Sequence, residues 1–286
     1  MRFPPVADRS VLITGCSSGI GRAAARVLRA RGWRVWPTAR RAKDLDALRA
    51  EEFDPVELDL ADSASVRRVI AEVLGRSNGR LGGIVNNAAY GQPGAVEDLA
   101  RDALRRQFEV NLFGLQELTN GFIPAFRRQG FGRIVHVGSI VGRISLPFLG
   151  AYSASKFALA ALTASLRVEL RGSGIGVSLI EPGPIASSFG ANATQAFMAQ
   201  LAERGSVFEA FYRDQLQQEQ QANPRPNRFQ KPPEAVARVI AHALESPHPR
   251  RRYPVTLPAR FGVFAARFLP EALIDAILAA RSRRTV

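Results

Sequence analysis

Two polar side chains one helical turn apart, Tyr152 and Lys156, are the clearest candidates for acid–base chemistry in the sequence. A helix predicted over residues 152–170 places the phenol and the ammonium on one face, because four residues make about one turn. A phenol is protonated at neutral pH, since its reference pKa is about 10, and a neighbouring cation would lower that pKa. A Tyr–Lys pair alone is common on solvated surfaces, so an acid–base role needs support from other motifs.

A second candidate is the glycine-rich stretch Thr14-Gly15-Cys16-Ser17-Ser18-Gly19-Ile20-Gly21, between a predicted strand (residues 11–13) and a predicted helix (residues 20–31). Glycines allow a tight turn and let backbone N–H groups approach a pyrophosphate at the helix N-terminus. The alternative is an ordinary strand–helix turn. Cys16 is expected to be a small packed residue, because no histidine lies near it in the sequence. The predicted dinucleotide contacts are Gly15, Ser17, Ser18, Gly19 and Ile20.

Short strands alternate with longer helices around these motifs. This alternation predicts right-handed βαβ crossovers and a parallel sheet covered by helices on both faces. Further strands are expected at residues 34–38, 55–58, 83–86, 133–139, 176–181 and 253–257. Further helices are expected at residues 43–51, 66–74 (with Ser63 as N-cap), 101–128 (bent near Pro124) and 233–244.

The pattern changes after Pro182-Gly183-Pro184, because residues 185–230 contain no predicted strand. We expect this segment to be a helical substrate lid over the strand ends, where open α/β sheets bind ligands. An apolar lid favours bulky or long-chain hydrophobic substrates. The alternative is that the aromatic residues only pack the lid onto the fold. These aromatic residues are Phe189, Phe197, Phe208, Phe211 and Tyr212.

Asn86-Asn87-Ala88, Asn111, Ser139 and Pro182-Gly183 join the glycine loop and the Tyr–Lys pair in a set with a specific order and spacing. The set resembles the short-chain dehydrogenase/reductase family over nearly the whole chain, most clearly over residues 8–188. The loop and the long apolar C-terminus are most similar to the hydroxysteroid and retinol dehydrogenases. The resemblance implies a single α/β domain over residues 1–286, with a doubly wound, Rossmann-type sheet of about seven strands. It also implies hydride transfer between a nicotinamide cofactor and an alcohol–carbonyl pair.

The resemblance assigns catalytic roles to four residues. Tyr152 would be the proton donor, and Ser139 would hydrogen-bond the substrate oxygen. Lys156 would lower the pKa of the tyrosine and bind the nicotinamide ribose, while Asn111 would hold a water that links Lys156 to solvent. The chemistry agrees, because a developing alkoxide needs hydroxyl donors within hydrogen-bond reach.

The resemblance also assigns cofactor contacts outside the glycine loop. Asp59 falls where the family contacts the adenine amino group, although a strand-end aspartate that caps the next loop is an alternative. One position departs from the family, since Ala89 stands where glycine is usual, and its methyl group could crowd the cofactor. The family often has a threonine a few residues after Pro182-Gly183, and in this sequence either Ser187 or Ser188 must take its place. The remaining implied contacts are Asn87, Ala88, Tyr152, Lys156, Pro182, Gly183 and Ile185.

The end of the second predicted strand indicates which cofactor is used. An NAD site usually has an acidic residue there, for the ribose hydroxyls. This sequence has Arg40-Arg41 and no carboxylate, and a guanidinium can bind a 2′-phosphate bidentately. We therefore expect NADP(H), with Arg40 as the main contact; a solvated turn is the alternative. Arg22 could assist or could face solvent.

Composition and charge exclude several classes of protein. With 46% hydrophobic and 22% charged residues the chain is of ordinary globular composition. One cysteine and three scattered histidines predict neither a disulfide framework nor a metal site. The single cysteine fits a reducing, cytoplasmic setting, which is expected here. The chain shows no secretory signal and no apolar run long enough to span a bilayer.

The net charge of +14 favours phosphate-bearing ligands, nucleic acid or anionic membrane. No nucleic-acid motif accompanies it, so no nucleic-acid partner is expected. Arg250-Arg251-Arg252 is interpreted as a solvated loop. The predicted partner is a small hydrophobic alcohol or carbonyl compound.

The C-terminal segment, residues 258–286, has a basic amphipathic pattern suited to peripheral contact with a membrane. Packing on the core, covering the substrate cleft and a subunit contact in a homo-oligomer are the alternatives. Two other functions remain open: a cofactor-binding regulator without turnover and a membrane-binding module. The apolar residues are Phe261, Phe264, Phe268, Leu273, Ile274, Ile277 and Leu278, and Arg281, Arg283 and Arg284 follow.

Overall fold

The computed structural model describes residues 2–186, 205–220 and 229–282 of the chain. Its seven strands form one sheet in the order β3-β2-β1-β4-β5-β6-β7, and every neighbouring pair is parallel. The predicted doubly wound parallel sheet is confirmed. The strands are β1 (Ser10–Ile13), β2 (Arg34–Ala39), β3 (Val56–Glu57), β4 (Gly83–Asn86), β5 (Gly132–Val137), β6 (Ile175–Glu181) and β7 (Arg252–Pro254).

Helices connect the strands, because parallel neighbours need a crossover that returns the chain to the same edge. The helices are α1 (Gly19–Ala30), α2 (Ala42–Arg49), α3 (Ser63–Arg76), α4 (Arg101–Phe108), α5 (Gly114–Gln129), α6 (Gly150–Glu169), α7 (Glu209–Gln220), α8 (Glu234–Glu245), α9 (Leu257–Phe268) and α10 (Glu271–Ser282). The order of the strands reverses between β1 and β4, which opens a crevice at their carboxyl ends.

Apolar layers cover both faces of the sheet, so the central strands are buried throughout. In β1, Val11 and Ile13 pack into the layer formed with α1, α2 and α8, while Leu12 packs into the layer formed with α3 and α5. The alternation follows from the strand period of two. The strands buried on both faces are mainly apolar, as is typical of a parallel sheet, although β5 and β6 also contain buried polar residues such as Arg133 and Glu181.

The predicted long helix over residues 101–128 is interrupted, but not near Pro124. A π-helical turn, Glu109–Phe113, separates α4 from α5, and Pro124 lies inside α5. The apolar periodicity of the sequence does not predict this turn, which inserts one extra residue and is common at functional sites. The turn carries Asn111.

Two helix starts differ from the predictions. Asp62, rather than Ser63, caps α3, because its carboxylate accepts a hydrogen bond from Ala64 N at 2.9 Å. The predicted last strand over residues 253–257 is shorter, because Thr256 caps α9 and accepts from Ala259 N. Leu257 therefore begins a helix.

The predicted lid is described in part. The helix α7 lies within it, whereas Phe189 and Phe197 fall outside the described residues. No helix in the described ranges combines the length and the apolar character needed to cross a membrane.

Candidate active site

A cavity of 1520 Å³ lies at the carboxyl ends of the strands, in the crevice between β1 and β4. It brings together the predicted catalytic and cofactor-binding residues that the structure describes, except Asn111, which lies behind its wall. Ser187 and Ser188 fall outside the described residues. The predicted residues that line the cavity are Gly15, Ser17, Ser18, Gly19, Ile20, Arg40, Asp59, Asn87, Ala88, Ser139, Tyr152, Lys156, Pro182, Gly183 and Ile185.

The glycine loop is shaped by close backbone approaches. Gly15 has a φ of 73°, and a Cβ there would lie 2.7 Å from the Ala88 Cα. A Cβ on Gly21 would lie 2.2 Å from the Gly15 carbonyl oxygen. The Asn87 amide donates to the Thr14 and Gly15 carbonyls at 2.9 and 3.1 Å. The asparagine of the loop after β4 therefore holds the glycine loop in place.

The first turn of α1 fits a phosphate. Its N-cap, Ser18, makes no side-chain capping bond, and the first turn contains no acidic residue. The backbone N–H groups at a helix start have no intrahelical partner, and the helix dipole favours an anion there. Cys16 is fully buried, and burial raises its pKa to about 12, as expected for a packed thiol.

The three candidate arginines have different surroundings. Arg22 Nε donates to Glu51 at 2.7 Å, and Arg41 Nε donates to Asp44 at 2.7 Å. Arg40, at the end of β2, has its side chain 67% exposed and lies 3.7 Å from Asp59. Arg40 is thus the least tightly held of the three.

Asp59 caps the loop that follows β3, which was the alternative to an adenine contact. Its Oδ1 accepts from Ala61 N at 2.9 Å, while the residue also lines the cavity. The carboxylate therefore orders the loop and faces the predicted adenine end of the site.

Tyr152 and Ser139 both line the cavity, and their hydroxyl groups interact with each other. Burial raises the pKa of Tyr152 to about 12, and the hydrogen bond with Ser139 acts in the opposite direction. Ser139 follows β5 and caps a short 3-10 turn by accepting from Val141 N. Two hydroxyls thus meet where a substrate oxygen would need them.

Lys156 lies beneath the tyrosine on the same face of α6, as the spacing predicted. Its ammonium donates to the Val137 carbonyl at 2.9 Å and lies 5.6 Å from the centre of the Tyr152 ring. The side chain is buried, and burial lowers the pKa of Lys156 to about 8. In the protein chain by itself, burial outweighs any lowering of the tyrosine pKa by this ammonium.

The chain matches the family model for short chain dehydrogenase over residues 9–197. It is 40% identical to the uncharacterized oxidoreductase YbbO of Escherichia coli K12, over 96% of this chain and 95% of that protein. The chain belongs to the short-chain dehydrogenase family. It is 33% identical to retinol dehydrogenase 16 of mouse, over 95% of this chain and 88% of that protein. A solved short-chain dehydrogenase from Streptomyces avermitilis superposes with a TM-score of 0.74 at 30% identity, covering 97% of this chain and 96% of that one.

In this short-chain dehydrogenase, Asn111 clamps the loop after β4. Its Oδ1 accepts from Tyr90 N at 2.8 Å, and its Nδ2 donates to Tyr90 O at 2.9 Å and to Ser155 Oγ at 3.0 Å. The π turn aims the side chain at the loop and at α6 together.

A second clamp residue, Gln107, was missed in the sequence. Its Nε2 donates to Tyr90 O at 2.7 Å, and its Oε1 accepts from Gln92 N at 2.7 Å. It is fully buried and also donates to Ser155. The available signal was an amide side chain four residues before Asn111. Both amides bind the loop that carries Asn87 and Ala88.

The clamped loop accommodates Ala89 without glycine. Among the described residues, the non-glycine positions with positive φ are Glu52, Asn78 and Phe148, so Ala89 has an ordinary backbone conformation. Ala89 lines the cavity, and its effect on cofactor affinity stays a prediction.

A buried carboxylate pairs with two arginines at the end of β6, directly before Pro182, which lines the cavity. Glu181, at the end of β6, is fully buried and accepts from Arg143 Nε at 2.7 Å and Arg252 at 2.8 Å. It ties the loop after Ser139 to β7. The interpretation of Arg250-Arg251-Arg252 as a solvated loop is therefore wrong for Arg252. A long-range charge pair leaves no local pattern in the sequence.

Replacing Gln107 with leucine should impair both the fold and catalysis. The change leaves the buried Gln92 N–H without its partner, at a cost of about 1–3 kcal/mol in the free energy of unfolding. We also expect cofactor affinity and turnover to fall, because the loop that holds the glycine motif loses one clamp. Urea unfolding, cofactor titration and steady-state kinetics measure these effects.

Gln129→Leu is the matched control. Gln129 also bridges backbone groups, donating to Leu81 O and Phe131 O at 2.7 Å each, but it does so away from the cavity. It should lower stability without changing cofactor affinity. Equal kinetic effects of the two variants would show that Gln107 has only a structural role.

Proposed function

We propose that this short-chain dehydrogenase is an NADP(H)-dependent enzyme that transfers a hydride between the nicotinamide and a hydrophobic alcohol or carbonyl compound. The proposal rests on the continuity of one cavity. The same cavity is lined by Arg40 and Asp59, by Ser139 and Tyr152, and by aromatic residues. Because Ser139, Tyr152 and Lys156 all line this cavity, a regulator without turnover is the weaker candidate.

The residues present fit a nicotinamide dinucleotide with an extra phosphate. The uncapped start of α1 offers backbone donors for the pyrophosphate. Arg40 offers an exposed guanidinium at the position where an NAD site would carry a carboxylate. Asn87, Ala88, Pro182, Gly183 and Ile185 would line the nicotinamide half. When bound, the cofactor supplies or accepts the hydride.

The protein moves the proton. In reduction, Tyr152 donates its proton to the substrate oxygen while Ser139 hydrogen-bonds the same oxygen, so that both stabilise the developing alkoxide. The raised pKa of Tyr152 keeps the phenol protonated and ready to donate at neutral pH. In oxidation the phenolate must accept the proton, and the buried Lys156 ammonium supports that form. Asn111 and Gln107 keep the surrounding loop in place.

An aromatic wall supports a hydrophobic substrate. The rings of Phe148 and Phe211 lie 4.1 Å apart between centroids, and both residues line the cavity with Tyr212. Phe208 packs on Phe148 edge-on at 5.3 Å but does not line the cavity. The related retinol dehydrogenase 16 is named for an apolar alcohol, which agrees with this wall.

Polar contacts hold in place the helix α7, which carries Phe211 and Tyr212 of the aromatic wall. The Tyr212 hydroxyl donates to Asp98 at 2.5 Å and accepts from Ala95 N at 2.8 Å. Ser206 donates to the same carboxylate oxygen at 2.7 Å. Burial and the neighbouring Asp98 raise the pKa of Tyr212 above its usual range, so the phenol stays a donor.

Long-chain or bulky hydrophobic aldehydes, ketones and alcohols should be turned over with higher kcat/KM than sugars or polyols. A turnover screen with both cofactors tests this expectation, and a clear preference for polyols would refute the substrate class. Phe211→Ala should lower kcat/KM for hydrophobic substrates by about 10-fold, since it removes apolar contact area in the pocket. Phe208→Ala is the control: it loosens the same cluster without changing the cavity wall.

A further inference from the structure

The two C-terminal helices leave a row of large apolar side chains exposed. In α9, Leu257, Phe261, Phe264 and Phe268 share one face by their spacing. The three phenylalanines are 61%, 52% and 63% exposed. In α10, the neighbouring turns add the exposed Leu273 and Ile277. We refer to these six residues as the C-terminal apolar face.

The opposite side of α9 is made of small residues and packs on the enzyme. Ala259, Gly262 and Ala265 are buried, and a Cβ on Gly262 would lie 2.7 Å from the Ile140 side chain. Ile140 directly follows Ser139. The helix is thus docked through its small side, and its large side chains point away from the core.

Two alternatives from the sequence analysis are thereby wrong for this face. The phenyl rings do not pack on the core, because more than half of each is exposed. The helices do not cover the cleft, because no described residue from Leu257 onward lines the cavity. A second copy of the chain and a lipid surface remain as occupants.

Charge decides between these two occupants. Residues 246–270 contain neither aspartate nor glutamate and five arginines, of which Arg252 pairs with Glu181. Arg260 and Arg267 are exposed on α9, and the Arg267 guanidinium lies 5.6 Å from the centre of the Phe268 ring. In a two-fold contact the same patch meets itself, so these arginines would face one another and repel. Anionic headgroups would instead pair with them while the phenyl rings enter the acyl boundary.

We propose that the C-terminal apolar face binds an anionic lipid bilayer. In α10, Glu271 and Asp275 lie one turn apart on the side away from Leu273 and Ile277, so the acidic groups do not oppose this contact. The arginines beside α9 add electrostatic attraction to the burial of the apolar side chains. The surface is separate from the active-site cavity, so the proposal stands or falls independently of the enzyme's substrate and cofactor.

Co-sedimentation of the full chain with vesicles tests the proposal. Binding should be strong to phosphatidylcholine vesicles that contain phosphatidylglycerol, weak to phosphatidylcholine alone, and reduced by salt. The triple change Phe261→Ser, Phe264→Ser and Phe268→Ser should lower lipid affinity by about 10-fold or more, because it removes the apolar contact. The double change Arg260→Glu and Arg267→Glu should lower lipid affinity by at least about 10-fold at low salt.

Matched controls come from surfaces elsewhere on the enzyme. Arg127→Glu with Arg128→Glu makes the same change in net charge at exposed positions at the end of α5, and Val168→Ser removes an exposed apolar side chain of α6. Both should bind vesicles like the wild type. All variants should remain folded and keep the wild-type turnover.

Light scattering without vesicles tests whether the C-terminal apolar face instead binds a second copy of the chain. A wild-type dimer that the triple serine variant splits into monomers would overturn the proposal, because the face would then be an interface between copies. Equal vesicle binding by the wild type and the α9 variants would overturn it as well. The proposal is supported if only the α9 variants lose vesicle binding and their molar mass in solution equals that of the wild type.

Discussion

Tyr152→Phe should lower turnover by about 100-fold or more, because it removes the hydroxyl that exchanges a proton with the substrate oxygen. The phenyl ring remains, so the packing of α6 around Lys156 should be preserved. NADPH affinity should change little. Steady-state kinetics with a good hydrophobic substrate, together with a fluorescence titration of the cofactor, measure the two effects separately.

Tyr253→Phe is the control for loss of a tyrosine hydroxyl. The Tyr253 hydroxyl contacts His242 and accepts from Arg250 N, and the residue does not line the cavity. This variant should lose some stability and keep its turnover. Near-normal turnover of Tyr152→Phe would mean that another group donates the proton.

Arg40→Ala should weaken NADPH binding by about 1.5–3 kcal/mol, the range for hydrogen bonds to charged groups. NADH binding should be nearly unchanged, because NADH has no 2′-phosphate for the guanidinium to bind. The wild type should accordingly bind NADPH more tightly than NADH. Dissociation constants for the two reduced cofactors, measured without substrate, give both comparisons.

Arg49→Ala is the matched control for this charge. Arg49 is similarly exposed and pairs with Asp46 at 2.7 Å, but it lies outside the cavity. It should leave both dissociation constants unchanged. If the wild type bound NADH as tightly as NADPH, Arg40 would be an ordinary solvated residue and the cofactor assignment would fail.

The fold was predictable because its signals are local. Buried strands such as β1 contain short apolar runs, and a helix with its own periodicity follows in the sequence. Alternation of the two leaves few topologies open, since βαβ crossovers are right-handed. The cavity residues were named from motifs whose order and spacing resemble the short-chain dehydrogenase family, and the carboxyl ends of the parallel strands bring Gly15, Asn87 and Ser139 to one edge.

Contacts between distant elements could not be predicted. The π turn at Asn111 differs from an ordinary helix by one residue, which the periodicity of apolar side chains does not resolve. The clamp of Gln107 on Tyr90 and the pairing of Glu181 with Arg252 join residues on separate elements. Their partners depend on side-chain directions after packing.

The sequence by itself determined the doubly wound sheet, the family and the residues that meet at the cavity, because motif order and local periodicity carry that information. It also determined that α9 would be amphipathic. Only the tertiary structure decided which side of α9 faces the enzyme. Gly262 and its small neighbours pack against Ile140, and the phenyl rings point outward. A helix with one small and one large apolar face can bury either of them, and the shape of the surface it meets selects the one that fits.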